Sequence, residues 1–222
     1  MDVEFWLIVG LGNPGNKYEG TRHNVGFEAL DALVERFSGK NGTSLANWQS
    51  KDNAEFCILQ SGVRRIVCAK PLSYMNRSGE PVGRFQRFYK VPLSRLIVIH
   101  DELDLSLGVV RLKNGGGEAG HNGLRSIAQV LGSRDFYRVR LGIGHPRGVV
   151  ASQETSDSGF SDGSSDVASS GEASGMSVSS WVLSKFNPGD SEKVRSMCDK
   201  AADAIELIVK EGFLKAQNSI NR

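Results

Sequence analysis

The pattern of apolar and polar positions along the chain predicts an α/β fold. Strand-like runs, either continuously apolar or alternating, occupy residues 5–9, 55–60, 65–70, 96–105, 109–113 and 136–143. Helical periodicity, with apolar residues three or four positions apart, occurs at residues 26–37, 81–89, 124–131 and 194–208, where Asp190 or Ser191 can cap the last helix. The pair Ser61-Gly62 predicts a hairpin turn, a short strand is expected near Trp48, and 181–183 resemble a strand. We expect the last helix to pack on the sheet.

The stretch from residue 10 to 27, GLGNPGNKYEGTRHNVGF, follows the first predicted strand and holds the clearest candidate chemistry. Its glycines and proline predict a tight turn, after which His23 comes at the start of a helix that Thr21 or Asn24 could cap. In α/β proteins, sites form at the carboxyl ends of strands. Two alternatives remain: His23 is an ordinary polar residue after a turn, or GxGxxG binds a dinucleotide. The second is disfavoured because the helix does not open at the third glycine, and no strand ending in an acid follows.

Length and cysteine content favour one intracellular domain. The 222 residues allow one sizeable core, the apolar runs are too short to span a membrane, and the N-terminus lacks the basic segment of a signal peptide. The three cysteines are far apart and form no C-x-x-C pair, which argues against a disulfide framework or a zinc knuckle. We therefore expect a protein of the reducing cytoplasm.

Charge is distributed unevenly along the chain. Residues 151–180 contain five acidic and no basic residues, so the remainder carries a net charge of +7, which suits an anionic partner such as nucleic acid. The same segment is rich in serine and poor in aliphatic residues, which predicts disorder. We expect one domain over residues 1–222, interrupted by a disordered insert at about 152–178, since the 42 residues after 180 are too few for a second core.

Three predicted loops each present an asparagine, and two also present a histidine or an aspartate. These residues are Asn13, Asn76, Asn122, His23 and Asp101. Amides suit an uncharged group such as a peptide or ester carbonyl, and a histidine beside a carboxylate is the pair used in general-base catalysis. No serine or cysteine occupies a nucleophile elbow, which favours water as the nucleophile. A metal site at His100, Asp101, Glu102 and His121 is the weaker alternative, because their spacing is not that of metal ligands.

The glycine run at 115–117 is either a flexible loop or an anion-binding nest.

Several motifs in this order resemble the bacterial peptidyl-tRNA hydrolase family. They are GLGNPG, TRHNVGF, KPxxYMNxSG, HDELDL, GGGxAGHNGLRSI and RLGIGHP. The resemblance runs from about residue 7 to 146 and resumes at 182. It implies a single-domain α/β fold, phosphorylase/hydrolase-like, with a twisted mixed sheet flanked by helices. It also implies a monomer that hydrolyses the ester between a peptide and the 3′ ribose of tRNA, and we expect it to need no metal or cofactor.

The resemblance assigns a role to each candidate side chain. It implies that His23 activates water, that Asp101 keeps His23 basic, and that Asn13 separates N-blocked from free aminoacyl-tRNA. The residues expected to hold substrate and water are Asn76 and Asn122, those expected to pack on the 3′ end are Tyr18 and Tyr74, and those expected to contact acceptor-stem phosphates are Arg111, Lys113 and Arg140. The alternative is a non-catalytic RNA-binding relative, like the plastid intron-splicing cofactors, which the presence of His23 and Asp101 disfavours.

The acidic insert replaces what is a short, often basic loop in members of that family, and it begins close to Arg140 in the sequence. We expect it to extend into solvent, so deletion of residues 152–177 should leave turnover within a few fold of the full-length rate. Release of N-acetyl-amino acid from N-acetyl-aminoacyl-tRNA measures this turnover. A large loss of activity, or of folded protein, would contradict the expectation.

Overall fold

A computed structural model describes residues 4–40, 47–146 and 176–222 of the chain. Within these residues seven strands form one sheet: β1 (Glu4–Gly10), β2 (Gln49–Lys51), β3 (Ala54–Ser61), β4 (Arg64–Pro71), β5 (Leu96–Glu102), β6 (Val110–Asn114) and β7 (Tyr137–Gly142). Their order is β2-β3-β4-β1-β5-β7-β6. Strands β4, β1, β5 and β7 are parallel, whereas β2, β3 and β6 pair antiparallel with their neighbours. The predicted α/β mixed sheet is confirmed.

Helices cover both faces of this sheet. They are α1 (Val25–Lys40), α2 (Gly79–Phe88), α3 (Asn122–Leu131), α4 (Val178–Val182), α5 (Ser191–Glu211) and α6 (Phe213–Ile220). On β1, Trp6 and Ile8 pack with the α1, α5 and α6 side, and Leu7 and Val9 pack with the α2 and α3 side. This explains the continuous apolar run of β1, since a strand buried on both faces has no polar side.

The parallel pairing places the carboxyl ends of β4, β1 and β5 side by side. The segments that follow these ends therefore meet at one edge of the sheet, as expected for a site in a parallel α/β fold. The loop after β1 ends in a short 3-10 helix, Arg22–Asn24, and the loop after β4 contains another, Met75–Arg77. Strand β5 ends with His100, Asp101 and Glu102, which are all buried.

One prediction near the chain's carboxyl end is wrong. Residues 181–183 are not a strand, because α4 covers Val178–Val182 and begins where the Ser177 hydroxyl accepts the backbone N–H of Ser180. The helix predicted after Asp190 or Ser191 is confirmed as α5, but it is not the last helix. Gly212, whose φ of 90° a side chain rarely adopts, follows its final residue Glu211, and α6 comes next. Helix α5 packs on α1 as well as on the sheet.

The predicted disorder of the insert concerns residues that, up to 175, lie outside the described part of the chain.

The predicted caps of α1 are also wrong. The Asn24 side chain hydrogen-bonds to the backbone of Asn13, and the Thr21 hydroxyl donates to the carbonyl of Tyr18. Neither side chain therefore caps the helix.

In the described segments, no helix has the length and apolar character needed to cross a membrane.

The first turn of α1 lies directly against the end of β1, which makes Gly26 a test of the packing. A β-carbon at Gly26 would lie 2.5 Å from the Leu11 carbonyl oxygen and 2.7 Å from that of Ile99. Because backbone atoms cannot move aside cheaply, Gly26→Ala should lower the free energy of unfolding by about 2–3 kcal/mol. Urea denaturation measures this. Gly189→Ala is the control, because nothing lies within 4 Å of its added carbon, and equal stabilities of the two variants would contradict the expectation.

Candidate active site

A cleft of about 550 Å³ lies at the edge of the sheet where the carboxyl ends of β1, β4 and β5 meet. Five segments line it: the loop after β1, the loop after β4, the end of β5, the turn before α3, and α4. The lining includes Asn13, Tyr18, His23, Tyr74, Asn76, Asp101, His121 and Asn122, as well as Val178, Val182 and Leu183. The structure thus brings together every predicted site residue except the three basic ones.

His23 and Asp101 are in direct contact. The Nδ1 atom of His23 lies 2.9 Å from Oδ1 and 3.0 Å from Oδ2 of Asp101, at the end of the buried strand β5. Since a carboxylate only accepts hydrogen bonds, Nδ1 carries the proton and donates it. The other ring nitrogen, Nε2, is then the basic one. The predicted base and its orienting carboxylate are therefore hydrogen-bonded to each other, as in the pairs used for general-base catalysis.

His121 makes a second hydrogen bond to the same carboxylate. Its Nε2 lies 3.0 Å from Asp101 Oδ1, and its Nδ1 accepts the backbone N–H groups of Gly123 and Leu124 at 3.2 and 3.3 Å. These bonds fix the tautomer with the proton on Nε2, which donates to Asp101. Sequence reasoning considered His121 only as a metal ligand and missed this role. Its position just before a helix was a signal, because the imidazole acts as the N-cap of α3.

Two imidazoles stabilise the charge on Asp101. Burial alone would raise the pKa of this carboxyl, but its interactions with His23 and His121 outweigh burial and hold the pKa well below its usual value. Asp101 therefore stays ionised in the folded protein at neutral pH. A fixed negative charge therefore lies within hydrogen-bond distance of His23.

His23, Asp101 and His121 also include the types of atom that bind metal ions. Their possible ligand atoms all lie within 4.8 Å of one another, and two imidazoles with one carboxylate are suitable ligands for zinc. In the observed arrangement, however, the two nitrogens that face Asp101, His23 Nδ1 and His121 Nε2, both carry protons and donate them to the carboxylate. The proton of His121 lies on Nε2 because its Nδ1 accepts two backbone N–H groups. An ion here would require His121 to give up its role as the cap of α3. The observed bonds instead form a chain of two histidines about one carboxylate.

Asn13 is held by its backbone and by one end of its side chain. Its N–H donates to Oδ1 of Asn24 at 2.9 Å, its carbonyl accepts from Asn24 Nδ2 at 3.0 Å, and its own Oδ1 accepts the N–H of Met75 at 2.8 Å. The Asn13 side chain therefore offers the cleft a donor, Nδ2, rather than an acceptor. Sequence reasoning missed Asn24, for which proximity to a helix start suggested only a cap.

The remaining predicted substrate residues lie around the mouth of the cleft. Asn76 and Asn122 are exposed, and the rings of Tyr18 and Tyr74 meet edge to face with centroids 6.4 Å apart. Tyr74 is about half exposed and has a φ of 61°, a left-handed backbone conformation that is uncommon for tyrosine. Strained backbone of this kind is frequent where a side chain must be presented to a ligand.

The three predicted basic residues lie on one face of β6 and β7. Arg111 pairs across the sheet with Arg140, and Lys113 with Arg138. Arg140 is only partly exposed and donates to Glu102 at 2.9 Å, and Arg111 donates to the carbonyls of Val110 and Ile220. Both arginines thus already have protein partners, although neither is fully buried.

Arg138 is buried and contributes to folding instead of to the surface. Its two terminal nitrogens each donate at 2.7 Å, to the carbonyls of Gly116 and Gly117. The glycine run is therefore held by its carbonyl groups, which does not favour the anion-binding alternative. Lys113 lies against the same loop, since a β-carbon on Gly116 would be 2.7 Å from its Cε.

An orienting carboxylate and a histidine base, in a cleft at the carboxyl edge of parallel strands, are characteristic of α/β enzymes that use general-base catalysis. The sequence profile described as peptidyl-tRNA hydrolase matches residues 7–157. The peptidyl-tRNA hydrolase of Mycobacterium tuberculosis strain H37Rv is 41% identical over 215 residues, which is 97% of this chain and 96% of the relative. That of Frankia casuarinae is 42% identical over 213 residues, or 96% and 92% of the two chains.

A solved structure agrees with these sequence matches. The crystal structure of peptidyl-tRNA hydrolase from Acinetobacter baumannii superposes with a TM-score of 0.75 at 33% identity, and the match covers 99% of this chain and 95% of that chain. The chain therefore belongs to the peptidyl-tRNA hydrolase family. The resemblance of its motifs to that family is confirmed.

His100 provides a test of how the cleft responds to acid. Its Nδ1–H donates to the Asp101 carbonyl at 2.8 Å, and burial together with the adjacent His121 lowers the pKa of His100 to about 3 from the usual 6.5. Because the unfolded chain takes up this proton near pH 6.5 and the folded chain only near pH 3, stability is lost as the pH falls through that window. We expect His100→Gln to reduce the slope of unfolding free energy against pH by up to about 1.4 kcal/mol per pH unit.

Urea denaturation at a series of pH values measures this slope for both proteins. Above neutral pH the slopes should coincide, because His100 is then neutral in the folded and unfolded states. Equal slopes between about pH 4 and 6 would show that folding does not suppress protonation of His100.

Proposed function

We propose that this chain hydrolyses the ester that joins a peptide to the 3′ ribose of tRNA, with water activated by His23 and without a metal ion. The observation that carries the proposal is the 2.9 Å contact between His23 Nδ1 and Asp101 inside the cleft. Membership of the peptidyl-tRNA hydrolase family supports the substrate. The non-catalytic alternative is disfavoured by the same pair, which an RNA-binding role would not require.

His23 acts first as a base and then as an acid. Its Nε2 takes a proton from a water molecule as the water oxygen attacks the ester carbonyl carbon, and Asp101 stabilises the imidazolium. When the bond between the carbonyl carbon and the ribose oxygen breaks, the same nitrogen returns the proton to that oxygen. His121 keeps the Asp101 carboxylate in place during both transfers through its own hydrogen bond.

Asn13 distinguishes N-blocked from free aminoacyl-tRNA. Because its Oδ1 is occupied by the N–H of Met75, the group it offers to substrate is the Nδ2 donor. A donor suits the carbonyl oxygen of the peptide bond in an N-blocked substrate. It does not suit a free α-amino group, which is itself protonated and a donor.

The other predicted residues bind the tRNA end of the substrate. Asn76 and Asn122 hold the substrate and the attacking water, and Tyr18 and Tyr74 pack on the terminal nucleotide at the mouth of the cleft. The face of β6 and β7 with Arg111, Lys113 and Arg140 contacts acceptor-stem phosphates. Such contacts contribute affinity without reading sequence, as an enzyme that accepts many tRNAs requires. All of these groups come from one chain, which supports a monomer, and the substrate implies the cytoplasm.

The function is tested by release of N-acetyl-amino acid from N-acetyl-aminoacyl-tRNA in the presence of EDTA. We expect His23→Ala to lower turnover by about 10²–10⁴-fold, the usual contribution of general-base catalysis, and to leave tRNA affinity unchanged. Asp101→Asn should also lower turnover, because the amide keeps the shape of the side chain but loses its charge.

Three results would contradict parts of this proposal. If the wild type binds tRNA but does not hydrolyse the ester, the non-catalytic alternative is favoured. Loss of wild-type activity in EDTA would show that a metal is required. Full activity of His23→Ala would remove His23 from the reaction.

A further inference from the structure

Two segments that are distant in sequence meet beside His23. The backbone N–H of Arg22 donates to the carbonyl of Ser184 at 3.0 Å, and Thr21 forms an antiparallel bridge with Lys185. Arg22 is only 4% exposed although it is charged. A buried arginine that directly precedes the candidate base must have partners that offset its loss of hydration.

The Arg22 side chain makes most of the contacts between these two segments. Its Nη1 donates to the Ser184 hydroxyl at 2.7 Å and to the carbonyls of Ser184 and Lys185. The guanidinium carbon lies 3.7 Å from the centre of the Trp181 ring and 5.1 Å from that of Phe186. A planar guanidinium can stack and donate in this way, whereas the ammonium of lysine cannot.

Trp181 connects the same junction to the wall of the cleft. Its indole N–H donates to the carbonyl of Gly144 at 2.8 Å, just after β7. Trp181 belongs to α4, and Val178 and Val182 of that helix line the cleft, as does the following Leu183. The guanidinium of Arg22 therefore fixes α4 relative to the short 3-10 helix that carries His23.

We propose that Arg22 is a positioning residue for hydrolysis. It holds the wall formed by α4 and the imidazole of His23 in one arrangement, so that the substrate carbonyl and the base meet at the required distance. The inference rests on the proposed function. Because catalysis depends on near-contact geometry, a displacement of about 1 Å can lower a rate by about 10²-fold.

The test uses Arg22→Met, which keeps the aliphatic stem, and Arg22→Lys, which keeps the charge. Arg36→Met is the matched control, because Arg36 also joins two segments, α1 and α5, through Asp199, Asp203 and Glu206, but lies outside the cleft. At a temperature where all variants are folded by circular dichroism, we expect both Arg22 variants to lose about 10–100-fold in kcat and to show a raised KM. Arg36→Met should lose thermal stability only.

A second measurement reports on His23 without activity. In protein labelled at histidine nitrogens, NMR detects the His23 Nδ1–H and His121 Nε2–H protons that Asp101 accepts. We expect Arg22→Met to shift or broaden the first resonance and to leave the second unchanged, and Arg36→Met to change neither. If Arg22→Met does not fold, Arg22→Lys and Trp181→Leu, which removes the stacked ring, are judged by the same criteria.

The proposal is overturned if folded Arg22 variants keep kcat and KM within about twofold of the wild type, a range outside the expected loss. An unchanged His23 resonance, or an equal loss of kcat in Arg36→Met, also overturns it. An inactive wild type would instead refute the proposed function. In that case the resonances still decide whether Arg22 positions His23.

Discussion

The carboxylate of Asp101 accepts hydrogen bonds from two imidazoles, and the geometry of the cleft depends on this buried charge. An ionised carboxylate at the end of a central strand would be destabilising without such partners. His23 and His121 supply them from two different segments, the loop after β1 and the start of α3. The same bonds that make the charge tolerable also fix which nitrogen of each ring is protonated. Stability and reactivity here thus share one set of contacts.

The amide of Asn24 orders Asn13, the residue that we propose distinguishes the substrate. By bonding both backbone groups of Asn13, it fixes a turn that has no regular secondary structure, and the N–H of Met75 then orients the Asn13 side chain. A residue from the loop after β4 therefore determines which end of the Asn13 amide faces the cleft. The proposed selectivity thus depends on contacts between loops that the parallel sheet brings together.

Sequence patterns were sufficient for the central strands because β1 and β5 are buried on both faces and therefore have long apolar runs. They were sufficient for most helices because a helix that buries one face has apolar residues three or four positions apart. They failed at α4, where three apolar residues are too few to show a period and the local conformation depends on Arg22, whose side chain contacts Ser184 across 162 positions. His23 and Asp101 could be identified as candidates because each follows an apolar run that predicts a strand. The partners of His121 and Asn24 could not be predicted, because hydrogen bonds between distant side chains leave no periodic signal.

The junction between Arg22 and residues 181–186 has a consequence for how the protein is made. The segment with His23 is synthesised before its partners near Trp181, since Arg22 and Ser184 are 162 positions apart in the chain. The cleft cannot be completed until α4 has been made, since Val178 and Val182 line it and Trp181 stacks on Arg22. A chain that stops before α4 therefore lacks one wall of the cleft, even though the seven described strands all precede α4 in the sequence.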